Sequence, residues 1–181
     1  VLLVTACARD EAMDVDFLPL TVEVQEKSYA AGKMPGGFFK REGRPSEQAI
    51  LNCRLVDRPL RPLFPKNYHN DTQIAITVLS TDLEFPYSSL GILGASMALM
   101  VSDIPFSEPV GACEIGYVDG ELIVNPTYEQ LESSDLQLTV AGTSEAIMMV
   151  EAGANFVSEE LLLEALESVS YTHLRAHETS I

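Results

Sequence analysis

The sequence predicts an α+β fold in which helices pack against a mostly antiparallel sheet. β-rich runs recur along the chain, three helical patterns separate them, and two pairs of runs are joined by turn signals. The 181 residues are about one domain's worth of chain, and a hydrophobic content of 46% is ordinary for a globular protein.

The first predicted elements are two strands separated by a polar loop. Residues 1–7 are β-rich, and residues 17–24 alternate leucine or valine with other residues, which is the period of a half-buried strand. Residues 9–16 are acidic and polar, and residues 32–43 contain four glycines and a proline. Both of these segments are therefore predicted to be irregular.

A helix is predicted to follow the glycine-rich segment. Pro45 suits its first turn, and Glu47 favours the positive N-terminus of a helix. The apolar stripe expected to face the core consists of Ile50, Leu51 and Leu55. The prolines expected to end the helix are Pro59 and Pro62.

The middle of the chain predicts a strand and a second helix. Residues 72–79 form a continuous apolar run, compatible with a strand buried on both faces. Residues 88–101 read as a helix whose small residues would let its backbone lie close to a sheet. These small residues are Gly91, Gly94, Ala95 and Ala98.

Two hairpins and a final helix complete the pattern. Residues 113–117 and 121–124 flank an Asp119-Gly120 turn signal. Residues 136–141 and 146–151 flank a second short connection. Residues 158–166 predict a helix with Ser158 as its N-cap.

The basic residues are concentrated in one stretch. Nine of the eleven Lys and Arg residues lie between Lys27 and Lys66, where the only acids are Glu42, Glu47 and Asp57. The local balance of nine minus three, +6, contrasts with a formal net charge of −16 for the whole chain. A basic strip on an acidic body suits a protein that holds a polyanion along one surface. Structural ion pairs are the alternative, although three local acids can neutralise only a third of nine cations.

Two adjacent aromatic residues lie inside this strip. Phe38 and Phe39 precede Lys40 and Arg41 in the glycine-flanked segment. Exposed rings beside cations are typical of single-strand binding, because bases stack on the rings while the cations hold phosphates. The alternative is that one phenylalanine packs in the core and the other is incidental.

A row of arginines follows the aromatic pair. Arg54 and Arg58 are spaced to share one helical face, Arg61 lies one turn further, and Arg44 stands at the helix entrance. Guanidinium groups in a row suit phosphates spaced along a nucleic-acid backbone. Pairing with the two nearby acids is the structural alternative for each of them.

Three segments carry a specific resemblance. Residues 36–65, 94–116 and 136–143 resemble the first RNase PH-type core of the bacterial polynucleotide phosphorylase family, and the similarity extends over residues 1–166. The resemblance implies an RNase PH-like core, of the ribosomal protein S5 domain 2 type, over residues 1–168. It also implies a Phe-Phe-Lys-Arg loop that points into the channel of a trimeric ring and grips RNA. The implied RNA-binding residues are Phe38, Phe39, Lys40, Arg41, Arg44, Arg54, Arg58 and Arg61.

The resemblance also implies that the chemistry lies elsewhere. In this family the phosphorolytic site belongs to a second core, where an Asp-x-Lys pair precedes Val-Ala-Gly-Thr and the carboxylate helps hold a divalent metal. Here Gln137 and Thr139 occupy those positions. The second core also has a serine-rich helix start that binds phosphate, and Ser88 and Ser89 lie near the corresponding place in this chain, but capping their own helix is the simpler interpretation. No catalytic or metal-binding residue is therefore predicted in this chain.

The implied full-length activity is 3′-to-5′ phosphorolysis of single-stranded RNA. Inorganic phosphate would be the co-substrate, nucleoside diphosphates the products, and Mg²⁺ would be bound by the second core. Homotrimers and components of an RNA degradosome are the implied partners. The alternatives are a non-catalytic RNA-binding or ring-forming protein and an independent RNase PH-like exoribonuclease.

Cysteine usage and hydropathy add a cytoplasmic expectation. The three cysteines are scattered without a C-x-x-C spacing, which favours neither a disulfide framework nor a zinc site and fits a reducing compartment. No apolar run approaches the ~18–20 residues needed to cross a bilayer. No membrane partner is therefore predicted.

The two ends of the chain predict a truncated core. The first residues already have the pattern of a strand, without an initiator methionine. Residues 169–181 resemble the translation of a sequencing-library adapter and are predicted to be a non-native tail. The His173/His177 pair in that tail has the spacing of a helical metal site, but it is excluded with the tail.

Overall fold

The computed structural model describes residues 1–169 and divides them into two compact units. The first contains residues 1–83 and 94–108, and the second contains residues 84–93 and the described chain from 109 onward. The α+β prediction is confirmed. The expectation of one sheet is wrong, because the strands form one sheet of three strands and one of four. The histidine pair and all but the first residue of the predicted tail lie outside the described residues.

The three-stranded sheet belongs to the first unit. It contains β1 (Leu2–Ala12), β2 (Leu20–Glu26) and β3 (Asn70–Val78) in the order β1-β3-β2. β1 runs antiparallel to β3, whereas β2 runs parallel to it. A parallel pair needs a crossover connection, and the helix α1 (Glu47–Leu60) lies in the segment that joins β2 to β3. This parallel pair was not predicted from the sequence.

β1 is longer than predicted. It continues through Ala12, across part of the segment predicted to be a loop, with an irregular register after Ala8. The polar extension is held by an ion pair between Arg9 and Asp71 at 3.4 Å. The side-chain amide of Asn70 also donates to the carbonyls of Arg9 and Asp10. Polar side chains therefore provide hydrogen bonds for the backbone at this exposed end of the strand.

α1 begins at Glu47, two residues after the proline that was predicted to lie in its first turn. Ser46 is the N-cap, and its hydroxyl accepts a hydrogen bond from the backbone N–H of Ala49 at 2.9 Å. Pro45 therefore precedes the cap and does not lie in the first turn. Pro59 lies inside the helix, which ends at Leu60 and is followed by a short 3₁₀ turn.

The buried face of α1 differs from the predicted stripe. Ile50 and Leu51 are about half exposed, at 54% and 47%. The buried positions follow one face at i, i+3 and i+4 spacing, and Leu55 alone of the predicted stripe belongs to it. They are Ala49, Asn52, Leu55, Val56, Pro59 and Leu60.

β3 is buried mainly on one face. Thr72, Ile74, Ile76 and Val78 are buried, whereas the alternate residues are exposed or partly buried. The prediction of burial on both faces is therefore wrong. Successive side chains of a strand point to opposite faces of the sheet, so every second residue of β3 is buried. A continuous apolar run does not reveal this alternation.

The second helix packs closely in its C-terminal half, as predicted. α2 (Ser88–Met100) contains Gly94, where an added Cβ atom would lie 2.7 Å from Cγ2 of Val4 in β1. Glycine at this position therefore allows the helix backbone to approach the strand.

The four-stranded sheet belongs to the second unit. It contains β4 (Gly111–Val118), β5 (Glu121–Val124), β6 (Leu136–Gly142) and β7 (Ile147–Ala154), antiparallel throughout, in the order β5-β4-β6-β7. Both predicted hairpins are confirmed. Asp119 and Gly120 have φ angles of 51° and 85°, as expected for a mirror-image hairpin turn.

Two helices complete the second unit. α3 (Tyr128–Glu132) was not predicted, although Thr127 and Gln130 form a capping box at its start. α4 (Glu159–Val169) begins after Ser158, whose hydroxyl accepts from the N–H of Leu161 at 3.3 Å, so the predicted N-cap is confirmed. Val169, the first residue of the predicted tail, ends α4 and is fully buried. The core of this unit contains Cys113, Ile115, Leu136, Leu138, Val140, Ala165 and Val169.

Candidate nucleic-acid interface

The aromatic pair lies on an exposed loop between β2 and α1. The side chains of Phe38 and Phe39 are 93% and 77% exposed, so neither packs in the core. Their ring centroids lie 5.3 Å apart with an interplanar angle of 87°. The alternative of one core phenylalanine is therefore wrong. Aromatic rings as exposed as these are available to stack with planar ligands.

Two serine–carboxylate contacts hold the base of this loop. The carboxylate of Glu42 accepts from the backbone N–H of Ser28 at 2.9 Å and from its hydroxyl at 3.0 Å. The hydroxyl of Ser46 donates to Glu26 at 2.6 Å. The chain before the loop is thus tied twice to the chain after it. We call these two contacts the loop clamp.

The tip of the loop has an unusual backbone conformation. Gly37 has a φ angle of 79° and Lys40 has one of 50°. A positive φ is uncommon for a residue with a side chain, because the left-handed conformation brings Cβ close to a carbonyl oxygen. The turn at Lys40 directly follows the exposed aromatic pair.

Most of the predicted RNA-binding cations have no carboxylate partner. Lys40, Arg41, Arg44 and Arg54 are exposed. Within residues 1–169, none of these four lies within the 4.0 Å ion-pair distance of a carboxylate. Their positive charges are therefore available to an external anion.

Arg61 has the structural role that was the alternative interpretation. Its guanidinium donates to both carboxylate oxygens of Asp57, at 2.9 and 2.7 Å. It also donates to the carbonyls of Leu18 and Leu20, at 2.9 and 3.3 Å. Four of its five N–H donors are thus used to join α1 to the start of β2. Arg61 therefore links the end of α1 to the chain around the start of β2, and its contact with RNA stays a prediction.

Arg58 is exposed on α1, one turn after Arg54, but it already makes an interaction within the protein. We therefore do not group it with the unpaired cations. That the loop and the Arg54 face converge on one side of the unit stays a prediction. All eight predicted RNA-binding residues belong to the first unit.

The second unit places the predicted non-catalytic residues around a buried carboxylate. Glu114 is 3% exposed and accepts from the side-chain amide of Gln137 at 2.8 Å and from the hydroxyl of Ser88 at 3.3 Å. Thr139 is buried in β6. Within residues 1–169, no group of three or more His, Cys, Asp or Glu side chains is placed to hold a metal ion. The residues present do not fit a divalent metal, because Gln137 and Thr139 add only a neutral amide and a hydroxyl to the single carboxylate of Glu114.

Sequence reasoning missed Glu42, Glu26 and Glu114 as organising residues. Glu42 was counted as a counter-ion of the basic strip, whereas it binds a serine. A Ser/Glu pair on each side of a glycine-rich segment is a weak signal, since either residue type is common in loops. The buried position of Glu114 could be anticipated only from its place in an otherwise apolar strand.

Comparison with known families decides the relationship of the chain. Residues 1–105 match domain 1 of the 3′ exoribonuclease family, and residues 108–168 match domain 2 of the same family. The chain belongs to the 3′ exoribonuclease family. The two matched segments correspond largely to the two compact units, but residues 84–93 lie in the first match and in the second unit.

The relatives of this chain share one name, polyribonucleotide nucleotidyltransferase. The chain is 56% identical over 179 residues to a polyribonucleotide nucleotidyltransferase of Finegoldia magna, a match that covers 98% of the chain and 24% of the relative. It is 57% identical over 167 residues to the protein of that name from Heliobacterium modesticaldum, and 58% identical over 165 residues to that from Moorella thermoacetica. These two matches cover 92% and 91% of the chain. The chain spans about a quarter of the length of these relatives.

The remaining sequence expectations concern the membrane and the thiols. Within the part of the chain that the structure describes, no helix is long and apolar enough to cross a membrane. Cys7 is exposed, Cys53 is partly buried and Cys113 is buried, all as free thiols. Burial raises the pKa of the Cys113 thiol to about 12, with a smaller contribution from the adjacent Glu114 carboxylate.

Proposed function

We propose that this chain is the RNA-holding part of a polyribonucleotide nucleotidyltransferase that degrades RNA from its 3′ end by phosphorolysis. The single observation that supports this proposal best is the clamped loop, which presents two exposed phenylalanines beside the unpaired Lys40 and Arg41. Rings stack on bases and cations hold phosphates, the two contacts that single-stranded RNA offers without regard to sequence.

The proposed contact set follows from the partners of each residue. Phe38, Phe39, Lys40 and Arg41 contact the RNA at the loop, and Arg44 and Arg54 contact phosphates alongside it. Arg58 is retained as a weaker member of the set. Arg61 is omitted, because the Asp57 carboxylate and two backbone carbonyls occupy it.

The whole-protein part of the proposal rests on the relatives. Phosphate and Mg²⁺ would act in a second core outside this chain, and nucleoside diphosphates would be released there. A homotrimer that encloses the RNA channel, association with other RNA-degrading proteins and a cytoplasmic location complete the proposal. The chain itself would supply RNA binding and a scaffold for the ring, and not the chemical step.

Binding of single-stranded RNA tests the loop directly. We expect Lys40→Ala and Arg41→Ala each to weaken binding of a fluorescein-labelled poly(A) oligonucleotide, measured by anisotropy at several salt concentrations. The plot of log K against log salt concentration has a negative slope, and each lost phosphate contact should make that slope less steep by about 0.7. Arg9→Ala is the matched control, because it removes one exposed cation that pairs with Asp71 and lies outside the basic strip.

The result also separates the proposed contact from simple charge attraction. Equal losses in the loop variants and in Arg9→Ala would mean that the RNA responds only to net charge. Unchanged affinity and unchanged slope in both loop variants would remove Lys40 and Arg41 from the RNA path.

A further inference from the structure

The second unit contains a small open cavity with one buried charged group in its wall. The cavity has a volume of about 170 Å³. Its apolar walls come from Phe85, Pro86, Leu90 and Pro126, and its polar wall includes Glu114 and Asn125. The cavity is thus a mostly apolar space with a carboxylate on one side.

The Glu114 carboxylate has no cationic partner in the described chain. Its two hydrogen bonds come from Ser88 and Gln137, which are both neutral. The sequence contains no Lys or Arg between residues 67 and 174, so the second unit cannot supply one from residues 84–93 or 109–169. The start of α2 beside Ser88 provides only about half an elementary charge. A buried carboxylate is normally paired, and this one is paired only with neutral groups.

We propose that this cavity binds a small organic cation, a guanidinium or primary ammonium group on a short apolar stem, with Glu114 as its counter-ion. Each carboxylate oxygen accepts one hydrogen bond from the protein and retains capacity for another. The apolar walls, which include Pro86, Leu90 and Pro126, suit a stem of a few methylene groups. A bare metal ion fits poorly, because the cavity provides a single carboxylate.

The ligand class is set by charge as well as by shape. A phosphate or a carboxylate would meet the negative charge of Glu114, so the cavity excludes the anions that the neighbouring helix start could otherwise attract. The volume admits a guanidinium with a short chain and excludes a nucleotide. This proposal is independent of RNA binding by the first unit.

Agmatine, a guanidinium joined to a short amine chain, is the probe. The ¹⁵N-labelled chain is titrated with agmatine in about 150 mM salt, and the amide signals of Ser89 and Asn125 are followed. We expect a saturable shift at these two residues. Glu114→Gln keeps a hydrogen-bond acceptor but removes the charge, and should weaken binding at least ~10-fold.

Glu129→Gln is the matched control, because it removes the same charge from an exposed position of α3 outside the cavity. It should leave agmatine binding unchanged. Equal weakening by the two variants would overturn the proposal, because agmatine would then bind only through general attraction to an acidic chain.

Leu90→Trp narrows the cavity while leaving Glu114 unchanged, and provides the decisive variant should Glu114→Gln not fold. Undiminished binding by Leu90→Trp would also overturn the proposal.

A capped Gly-Arg-Gly peptide distinguishes a small molecule from a protein side chain. Agmatine should bind more tightly than the peptide, because the peptide has backbone amides for which the apolar walls provide no hydrogen-bond partners. Tighter binding of the peptide would overturn the assignment to a small molecule and give the cavity to an arginine side chain of a protein.

Discussion

Glu42 lies in the basic strip but binds Ser28, whose backbone N–H and hydroxyl both donate to its carboxylate, at 2.9 and 3.0 Å. The second contact of the loop clamp, from Ser46 to Glu26, uses the same two residue types in the opposite order along the chain. The Glu42 carboxylate is held by a neutral serine and, in the part of the chain that the structure describes, makes no direct ion pair with its basic neighbours. Glu42 therefore fixes the loop while leaving the charges of Lys40 and Arg41 available.

Removal of this contact should weaken RNA binding without removing any residue that contacts RNA. We expect Glu42→Ala to lower affinity for single-stranded RNA by about 3- to 10-fold, because the freed loop must be ordered again when RNA binds. Glu42→Gln, which can still accept from Ser28, should recover part of the loss. Anisotropy measures affinity, and hydrogen exchange at residues 36–42 measures loop order.

The control is Glu47→Ala, which removes the same charge from the first turn of α1, where Glu47 has no side-chain partner within residues 1–169. Loss of a negative charge alone should raise affinity for RNA slightly. If Glu42→Ala binds RNA as tightly as Glu47→Ala does, the clamp does not position the loop.

Local signals predicted the second unit well. The Asp119-Gly120 pair requires positive φ angles that few other residues tolerate, so the turn and its two strands follow from the sequence. Ser158 and the apolar spacing after it likewise define α4. Hairpins and caps depend on residues close in sequence, and such features are accessible without a structure.

Non-local features were predicted less well. The parallel pairing of β2 with β3 joins residues about 50 positions apart, as in Leu20 with Thr72, and no local pattern encodes it. Ile50 and Leu51 were predicted to lie in the core because an apolar stripe in the sequence does not show which face of α1 packs against another element. The hydrogen bonds from Arg61 to the carbonyls of Leu18 and Leu20 were not predicted, because these carbonyls become its neighbours only after folding.

The isolated chain should not carry out phosphorolysis. Gln137 and Thr139 provide neither a metal-binding carboxylate nor an ammonium, and Gln137 is already bound to Glu114. Incubation with poly(A), phosphate and Mg²⁺ should release no ADP above a buffer control, as measured by chromatography. A polyribonucleotide nucleotidyltransferase such as the Finegoldia magna relative serves as the positive control. Release of ADP by the pure chain that Gln137→Ala abolishes would assign chemistry to this unit.

Gly94 should tolerate no larger side chain while Val4 is present. An added Cβ atom would lie 2.7 Å from Cγ2 of Val4, and valine has few rotamers with which to move aside. We expect Gly94→Ala to lower the free energy of unfolding by about 1–3 kcal/mol, despite the higher helix propensity of alanine. In the Val4→Ala background, Gly94→Ala should lower the free energy of unfolding by less than it does in the wild type. Additive costs in urea denaturation would contradict the close contact.

Cys113 should make stability depend on pH in the alkaline range. Burial raises the pKa of its thiol from 9.0 to about 12 in the folded chain. Below pH 9 the thiol is protonated in both states, and the stabilisation is fully present. Between about pH 9 and 12 only the unfolded chain releases the proton, so stability falls by about 1.4 kcal/mol per pH unit. Cys113→Ala should lack this pH dependence. We would measure the free energy of unfolding of the wild type and the variant in urea from about pH 7.5 to 10.5. The difference between the two should shrink above pH 9. A difference that stays constant over this range would show that the folded chain binds the Cys113 proton no more tightly than the unfolded chain does.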